Sequence, residues 1–352
     1  MNKRYLFFVS ISYAYSILRP LQDEIWRRGD EVFWFIEETC PVQLEDKEHQ
    51  LKTFQEVIEY NPIAVFTPGN YIYDFFPGVK VSIFHGYPIN KRKDKFDDHF
   101  KIRGLFDIYC TQGDSSTSIF KGLEKKHKYF KVYETGWSKV DSFFSPKEII
   151  EPRSNDNPTI FVASTFSKGI SSLHEFYPII ERLAQKRSWN WIITLHPKLQ
   201  EKDLIEKYQL LAEKFSNVTF CPTIKGIQCF YNSDAMLCDS SSIIIEYMLF
   251  DKPVVTYKNT SPGKHVINVT DINDIEQALE EALTYPKELM EEIRSYTLKH
   301  ERHRDGKNSA RILDAVDDFI ENHKGRIKDK PMNLFRKLKW KLKFWNRPTT
   351  KR

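Results

Sequence analysis

Short apolar runs of four to seven residues recur along this chain, each followed by a longer stretch of helical periodicity. That alternation most constrains what the chain can become, because it is the pattern of parallel sheets joined by crossover helices. In the first half the strand-like runs lie near Tyr5 to Ile11, Val32 to Ile36, Ile63 to Thr67, Val79 to Phe84, Asp107 to Thr111 and Lys131 to Glu134. Helices fit between them near Ile17 to Arg28, Lys47 to Tyr60 and Ser115 to Gly122. Pro146 to Pro158 has three prolines and the polar run Arg153-Ser-Asn-Asp-Asn157, so it reads as an interdomain linker. A second series follows, with strands near Thr159 to Ala163, Asn190 to Leu195, Asn217 to Phe220, Ala235 to Cys238, Pro253 to Tyr257 and Val266 to Val269. Its helices run near Ser172 to Lys186, Gln200 to Phe215, Ser241 to Phe250, Ile275 to Leu283, Lys287 to Leu298 and Asn308 to Asn322.

The expected architecture is therefore α/β: two doubly wound, Rossmann-like domains with a cleft between them, the GT-B-like arrangement, plus a C-terminal basic amphipathic helix. The domains are expected at 1–150, 151–323 and 324–352, the last as a tail. At 352 residues and 41% hydrophobic content the chain can bury the cores this requires. The five cysteines stand without the close pairs of zinc or redox sites and read as reduced thiols. The N-terminal run is too short for a secretory signal, and no stretch approaches the roughly 20 apolar residues of a bilayer crossing. A cytoplasmic protein is expected.

The net charge of +5 hides an uneven distribution. From Lys324 onward twelve Lys and Arg face one acid, Asp329, so the tail carries +11 and the remaining chain −6. Leu334, Phe335, Leu338, Leu342 and Trp345 fall within about 100° on a helical wheel, Trp340 and Phe344 widen that face along one flank, and Arg336, Lys339 and Lys343 lie opposite; Lys337 is counted with them as a membrane contact. This is the pattern of a segment lying on an anionic membrane, each basic residue contributing about 1 kcal/mol. A helix packed on its own domain is the alternative. Nucleic acid is not expected as a partner, since the acidic body would repel its phosphates.

Several strands end in residues suited to proton transfer or phosphate binding. His85-Gly86 follows Val81-Ser-Ile-Phe84, and an imidazole with an unperturbed pKa near 6.5 can take a proton from an acceptor hydroxyl. His196-Pro197 closes a strand in the second half, where it could donate to a diphosphate oxygen or merely cap a loop. Asp239-Ser240-Ser241-Ser242 precedes an apolar helix, placing hydroxyls and amides at its positive end. Ser164, Thr165 and Lys168 follow the first strand of the second half and offer hydroxyls and a cation, or a polar turn. His85 and the turn at Ser240 are expected to face one gap. No Asp-x-Asp or His/Cys cluster has metal-ligand spacing, so neither metal nor cofactor is expected and turnover should survive EDTA.

These pieces, in order, resemble the CDP-glycerol glycerophosphotransferases of teichoic acid and capsule synthesis. The matching segments are His85-Gly86-Tyr-Pro88, Gly136-Trp-Ser-Lys-Val-Asp141, His196-Pro197, Asp239-Ser-Ser-Ser242 with Phe250-Asp-Lys-Pro253, and Asp305-Gly-Lys-Asn-Ser309. The resemblance implies a GT-B-fold peripheral enzyme on the cytoplasmic face of the membrane. Such an enzyme moves glycerol phosphate, or a related alditol phosphate, from a CDP-activated donor to a hydroxyl of a polysaccharide or lipid-linked acceptor, and releases CMP. It implies His85 as base, His196 and Ser240 to Ser242 at the donor pyrophosphate, and supporting roles for Gly86, Lys139 and Asp141. Asn90 stands where that family carries a basic residue, with Lys91 and Arg92 following. A nucleotide-sugar glycosyltransferase of capsule or lipopolysaccharide synthesis, and a scaffold without turnover, are the other readings.

Overall fold

A computed structural model describes residues 2–88, 99–146, 150–153, 155–167, 169–196, 199–221 and 226–345. The chain divides into two compact units: Met1–Gly86 with Asp97–Ser145 and Glu301–Arg352, and Tyr87–Phe96 with Pro146–His300. Each has its own six-stranded sheet. Among the described residues, no helix is long and apolar enough to cross a membrane.

The first unit contains β1 (Arg4–Val9), β2 (Glu31–Ile36), β3 (Ala64–Thr67), β4 (Val79–Ser82), β5 (Ile108–Thr111) and β6 (Lys131–Glu134), in the order β2-β1-β3-β4-β5-β6. Every pairing is parallel. Parallel strands are covered on both faces, which is why β1 after Arg4 is buried throughout and reads as continuous hydrophobicity. A dense aromatic core forms on one side, where Phe8, Phe35, Phe54, Tyr73 and Phe76 meet mostly edge to face.

The second unit contains β7 (Thr159–Val162), β8 (Asn190–Thr194), β9 (Val218–Cys221), β10 (Ala235–Cys238), β11 (Val254–Tyr257) and β12 (Ile267–Val269), in the order β12-β11-β10-β7-β8-β9. These pairs are also all parallel. Read from β9, this is the 3-2-1-4-5-6 order of the dinucleotide-binding fold, with its reversal of direction between β7 and β10. The core is aliphatic around Trp191, Ile193, Leu237 and Val255. The fold is α/β and GT-B-like, as the alternation of runs predicts.

Element lengths differ locally. The helix expected from Lys47 is Phe54–Tyr60, started by a capping box in which Thr53 receives Glu56 N–H and the Glu56 carboxylate receives Thr53 N–H. The segment before it is held by a bridge between Trp34 and Gln50 instead. The second domain was expected to extend to residue 323, whereas the chain from Glu301 packs with the first unit. Helix Asn308–Asp318 is joined to it by Lys3–Asp317 at 2.7 Å and Arg28–Asp314 at 2.8 Å. Nothing in the helical periodicity of that segment marks which sheet it covers.

In the second unit, His265 stacks on Tyr296 with centroids 3.5 Å apart, and Tyr296 also meets His300. Burial, reinforced by His300, lowers the His265 pKa from 6.5 to about 4. The folded state thus resists a proton that the unfolded chain accepts, so stability rises with pH between about 4 and 6.5 and is lost on acidification through that window. A falling urea midpoint from pH 7 to pH 5, with a flatter slope in His265→Phe, is the expected result; identical slopes in both proteins would refute it.

Candidate functional site

The first unit presents His85 beyond the carboxyl end of β4. Strand pairing stops at Ser82, two residues earlier than the sequence suggests, because Phe84 takes a left-handed backbone with φ of 55°. A bulky residue there is strained by about 1–3 kcal/mol and persists only when its surroundings fix it. They do so here. The buried Phe84 ring packs on His99, Tyr109 and Phe120, and the Trp137 indole N–H donates to its carbonyl at 3.2 Å. On the other side of the histidine, Gln112 Nε2 donates to the Gly86 carbonyl at 3.1 Å.

Between these anchored carbonyls, His85 Nδ1 lies 3.2 Å from the Pro68 carbonyl oxygen. A carbonyl only accepts, so Nδ1 carries the hydrogen, and in the neutral imidazole the lone pair is then on Nε2, an assignment made from the partner. That is the tautomer of a proton acceptor. Pro68 follows β3 and Tyr13, whose ring meets the imidazole edge to face at 6.0 Å, follows β1. The histidine therefore sits where the strand order turns between β1 and β3, the ligand position of such sheets.

The two motifs whose chemistry the sequence left open are locked to one another. Asp141 Oδ1 and Oδ2 accept the backbone N–H groups of Asn308 and Ser309, each at 2.7 Å, which satisfies the start of helix Asn308–Asp318. Burial raises the Asp141 pKa, while the bonds from Ser309 and Asn308 act against that rise. Glu301 receives Trp137 N–H at 3.2 Å, and Asn308 Nδ2 donates to the Trp137 carbonyl at 3.1 Å. Gly136 has a φ of 76°, and a Cβ there would lie 2.3 Å from Asn308 Oδ1, so only glycine fits. Lys139 Nζ lies 5.2 Å from the centre of the Trp137 ring. Asp141 and Lys139 thus support the tryptophan that holds the His85 turn. Trp137, Gln112 and Glu301 were missed as site residues, although Trp137 lies inside a quoted motif.

The second unit presents its polar loops at the β7/β10 reversal. Asp239 is fully buried and accepts from Thr165 N–H at 2.9 Å, from Ser172 N–H at 3.2 Å and from the Ser164 hydroxyl. Ser240 Oγ accepts Thr260 N–H at 2.8 Å. Asp239, Ser164, Thr165 and Ser240 are therefore engaged in building the loops, a purpose the motif alone does not distinguish from ligand binding. Ser241 and Ser242 remain half-buried at the same end. The helix they precede, Ile243–Met248, has six residues, and Ser242 at its start makes no side-chain cap.

His196 lies just beyond β8, the neighbour of β7, and its ring meets that of Phe166 at 4.3 Å. Three adjacent strands, β10, β7 and β8, thus carry Ser241 and Ser242, Phe166 and His196 at their carboxyl ends. Lys168 and Pro197 lie outside the described residues, as do Asn90, Lys91 and Arg92. Among the described residues no group of three or more His, Cys, Asp and Glu is placed to hold a metal ion.

Two parallel sheets with polar loops at their reversal points define a GT-B-like α/β protein. The model of the UDP-N-acetylglucosamine 2-epimerase family matches residues 124–317, more than half of the chain, and the chain belongs to that family. Its fold is shared with S. aureus MnaA solved with UDP, at 15% identity and a TM-score of 0.65 over 91% of this chain and 97% of that one. A UDP-GlcNAc 2-epimerase from Neisseria meningitidis bound to UDP-GlcNAc is similar at 14% identity and a TM-score of 0.60, over 92% of this chain and 100% of that one. The wall teichoic acid polymerase TagF is similar at 13% identity and a TM-score of 0.64, over 91% of this chain and 89% of that one. No curated protein sequence matches the chain. The glycerophosphotransferase resemblance is thus met at the level of fold, while the family shown is the epimerase one.

Proposed function

We propose that this protein is a transferase acting on a nucleotide-activated donor, with a CDP-alditol as that donor and a hydroxyl of a polysaccharide or lipid-linked acceptor as the nucleophile. The observation that carries the reading is the His85 turn, a strained backbone fixed by Trp137 and Gln112 around an imidazole whose Nδ1 is turned to the Pro68 carbonyl. The imidazole would take the acceptor hydroxyl proton as its oxygen attacks the β-phosphorus. The bond from that phosphorus to the bridging oxygen would break, and CMP would leave with the bonding pair. His196, Ser241 and Ser242 are assigned to the donor phosphates, where hydrogen bonds offset the charge that grows on the leaving group.

The family match spans residues 124–317 and includes the loops at His196 and Asp239, but His85 lies outside it. The match thus covers most of the second unit, to which donor binding is assigned here, while the proton transfer is assigned to a residue outside the matched span. Epimerisation of a UDP-sugar is the competing reading, favoured by the family itself. Incubation with CDP-glycerol, CDP-ribitol, UDP-N-acetylglucosamine and CMP-sugars, with and without acceptor, distinguishes the two. Acceptor-dependent CMP release from a CDP-alditol is expected. A UDP-sugar recovered as its C2 epimer, with no nucleotide released, would replace this proposal.

A further inference from the structure

The C-terminal helix, Leu334–Trp345, was expected to lie on a membrane with Arg336 and Trp340 among its contacts, but both face the protein. Trp340 meets Tyr73 edge to face at 5.3 Å, and Arg336 donates to the carbonyls of Arg103 at 2.7 Å and Gly104 at 3.2 Å. The connecting segment is tied to the same unit by Lys330, which pairs with Asp107 at 2.7 Å. Docking by this face leaves the other outward. Phe335 is 92% exposed, Met332 67%, Leu334 64% and Leu338 57%, with Lys337 and Lys339 exposed beside them.

Beside the docked face runs a groove of about 590 Å3 lined by Lys101, Arg103, Lys339, Arg336, Phe335 and Trp340, with Tyr71 and Leu105 and without a carboxylate among its lining residues. Basic side chains around aromatic walls, next to an outward apolar edge, suit a surface that is anionic outside and apolar beneath. The tail's +11 against −6 for the remaining chain gives that surface a preferred side to approach.

We propose that this helix seats the first unit on an anionic phospholipid bilayer. Leu334, Phe335 and Leu338 enter the boundary between headgroups and acyl chains, and the groove of Lys101, Arg103 and Lys339 receives headgroup phosphate. The helix docked through Trp340 fixes the orientation of the unit, which a loose tail would not.

Flotation of the full-length protein with vesicles tests this. Vesicles containing phosphatidylglycerol are expected to bind at least tenfold more protein than phosphatidylcholine alone, with the excess falling as salt shortens the screening length. Phe335→Ser with Leu338→Ser should lower partitioning more than tenfold at unchanged Tm, because both side chains point to solvent. Lys101→Glu with Lys339→Glu should weaken binding at low salt and little at high salt. Equal binding to neutral vesicles, or unchanged flotation of the serine pair, would overturn the proposal. So would duplex DNA displacing the vesicles, or sedimentation showing a dimer that the serine pair dissociates, since nucleic acid or a second copy would then be the occupant.

Discussion

Replacing His85 by asparagine is expected to lower turnover by about 10²–10⁴-fold while donor affinity stays within a fewfold of the wild type. The argument begins with the fold of the turn. Phe84 is held in a left-handed conformation by its own burial and by Trp137, and Gly86 is held by Gln112, so the backbone at position 85 is set by neighbours rather than by the histidine. Asparagine can still donate an amide N–H toward the Pro68 carbonyl that the imidazole now contacts at 3.2 Å. What it lacks is a basic ring nitrogen that can accept the hydroxyl proton. Steady-state rates with the donor that passes the screen, alongside calorimetric binding of its nucleotide, separate the two quantities. A His85→Asn enzyme turning over within tenfold of the wild type removes the imidazole from the chemistry. Equal loss of turnover and donor binding would instead move it to the donor. Trp137→Phe refines the test, since it keeps an aromatic side chain but removes the N–H donor to the Phe84 carbonyl. A lower kcat with a KM near that of the wild type is expected from it.

The two sheets were legible because burying a parallel strand on both faces forces a run of apolar residues, and such runs mark β1, β3, β7 and β10 directly. Hydrogen bonds between distant segments leave no such mark. Gly136-Trp-Ser-Lys-Val-Asp141 could be recognised as a motif, yet its function, receiving Asn308 and Ser309 across 167 and 168 positions of chain, depends on where helix Asn308–Asp318 returns. The same holds for Trp137, whose indole reaches Phe84 over 53 positions. For the serine-rich turn, the motif suggested phosphate binding by hydroxyls and amides at a positive helix end. Half of that motif has another use, since Asp239 and Ser240 are engaged by the loops after β7 and β11. In the tail, the wheel set Trp340 on a flank of the apolar face, on the same side of the helix as Arg336 four positions earlier. It could not show that this side would be drawn toward the domain by Tyr73 and by carbonyls at 103 and 104.

The second large effect concerns Asp239, and it separates building the loops after β7 and β10 from the proposed contact with a donor. Asp239→Ala would leave the N–H groups of Thr165 and Ser172 and the hydroxyl of Ser164 without their shared acceptor in a fully buried position. Unmet buried donors cost about 1–3 kcal/mol each, so a loss of roughly 3–5 kcal/mol is expected after partial relaxation. That is a large share of the 5–15 kcal/mol by which domains are ordinarily stable. Since the two units have separate cores, the loss should fall on the second, where proteolysis and hydrogen exchange can locate it around residues 163–172. Ser241→Ala with Ser242→Ala is the contrast, because neither hydroxyl caps the helix that follows and both are half-buried. That pair should leave Tm within about a degree or two, as surface changes within ±0.5 kcal/mol do, while weakening donor binding. Donor affinity unchanged in the serine pair would take the turn out of phosphate recognition. An Asp239→Ala protein as stable as the wild type would mean that the loops after β7 and β10 do not depend on the carboxylate between them.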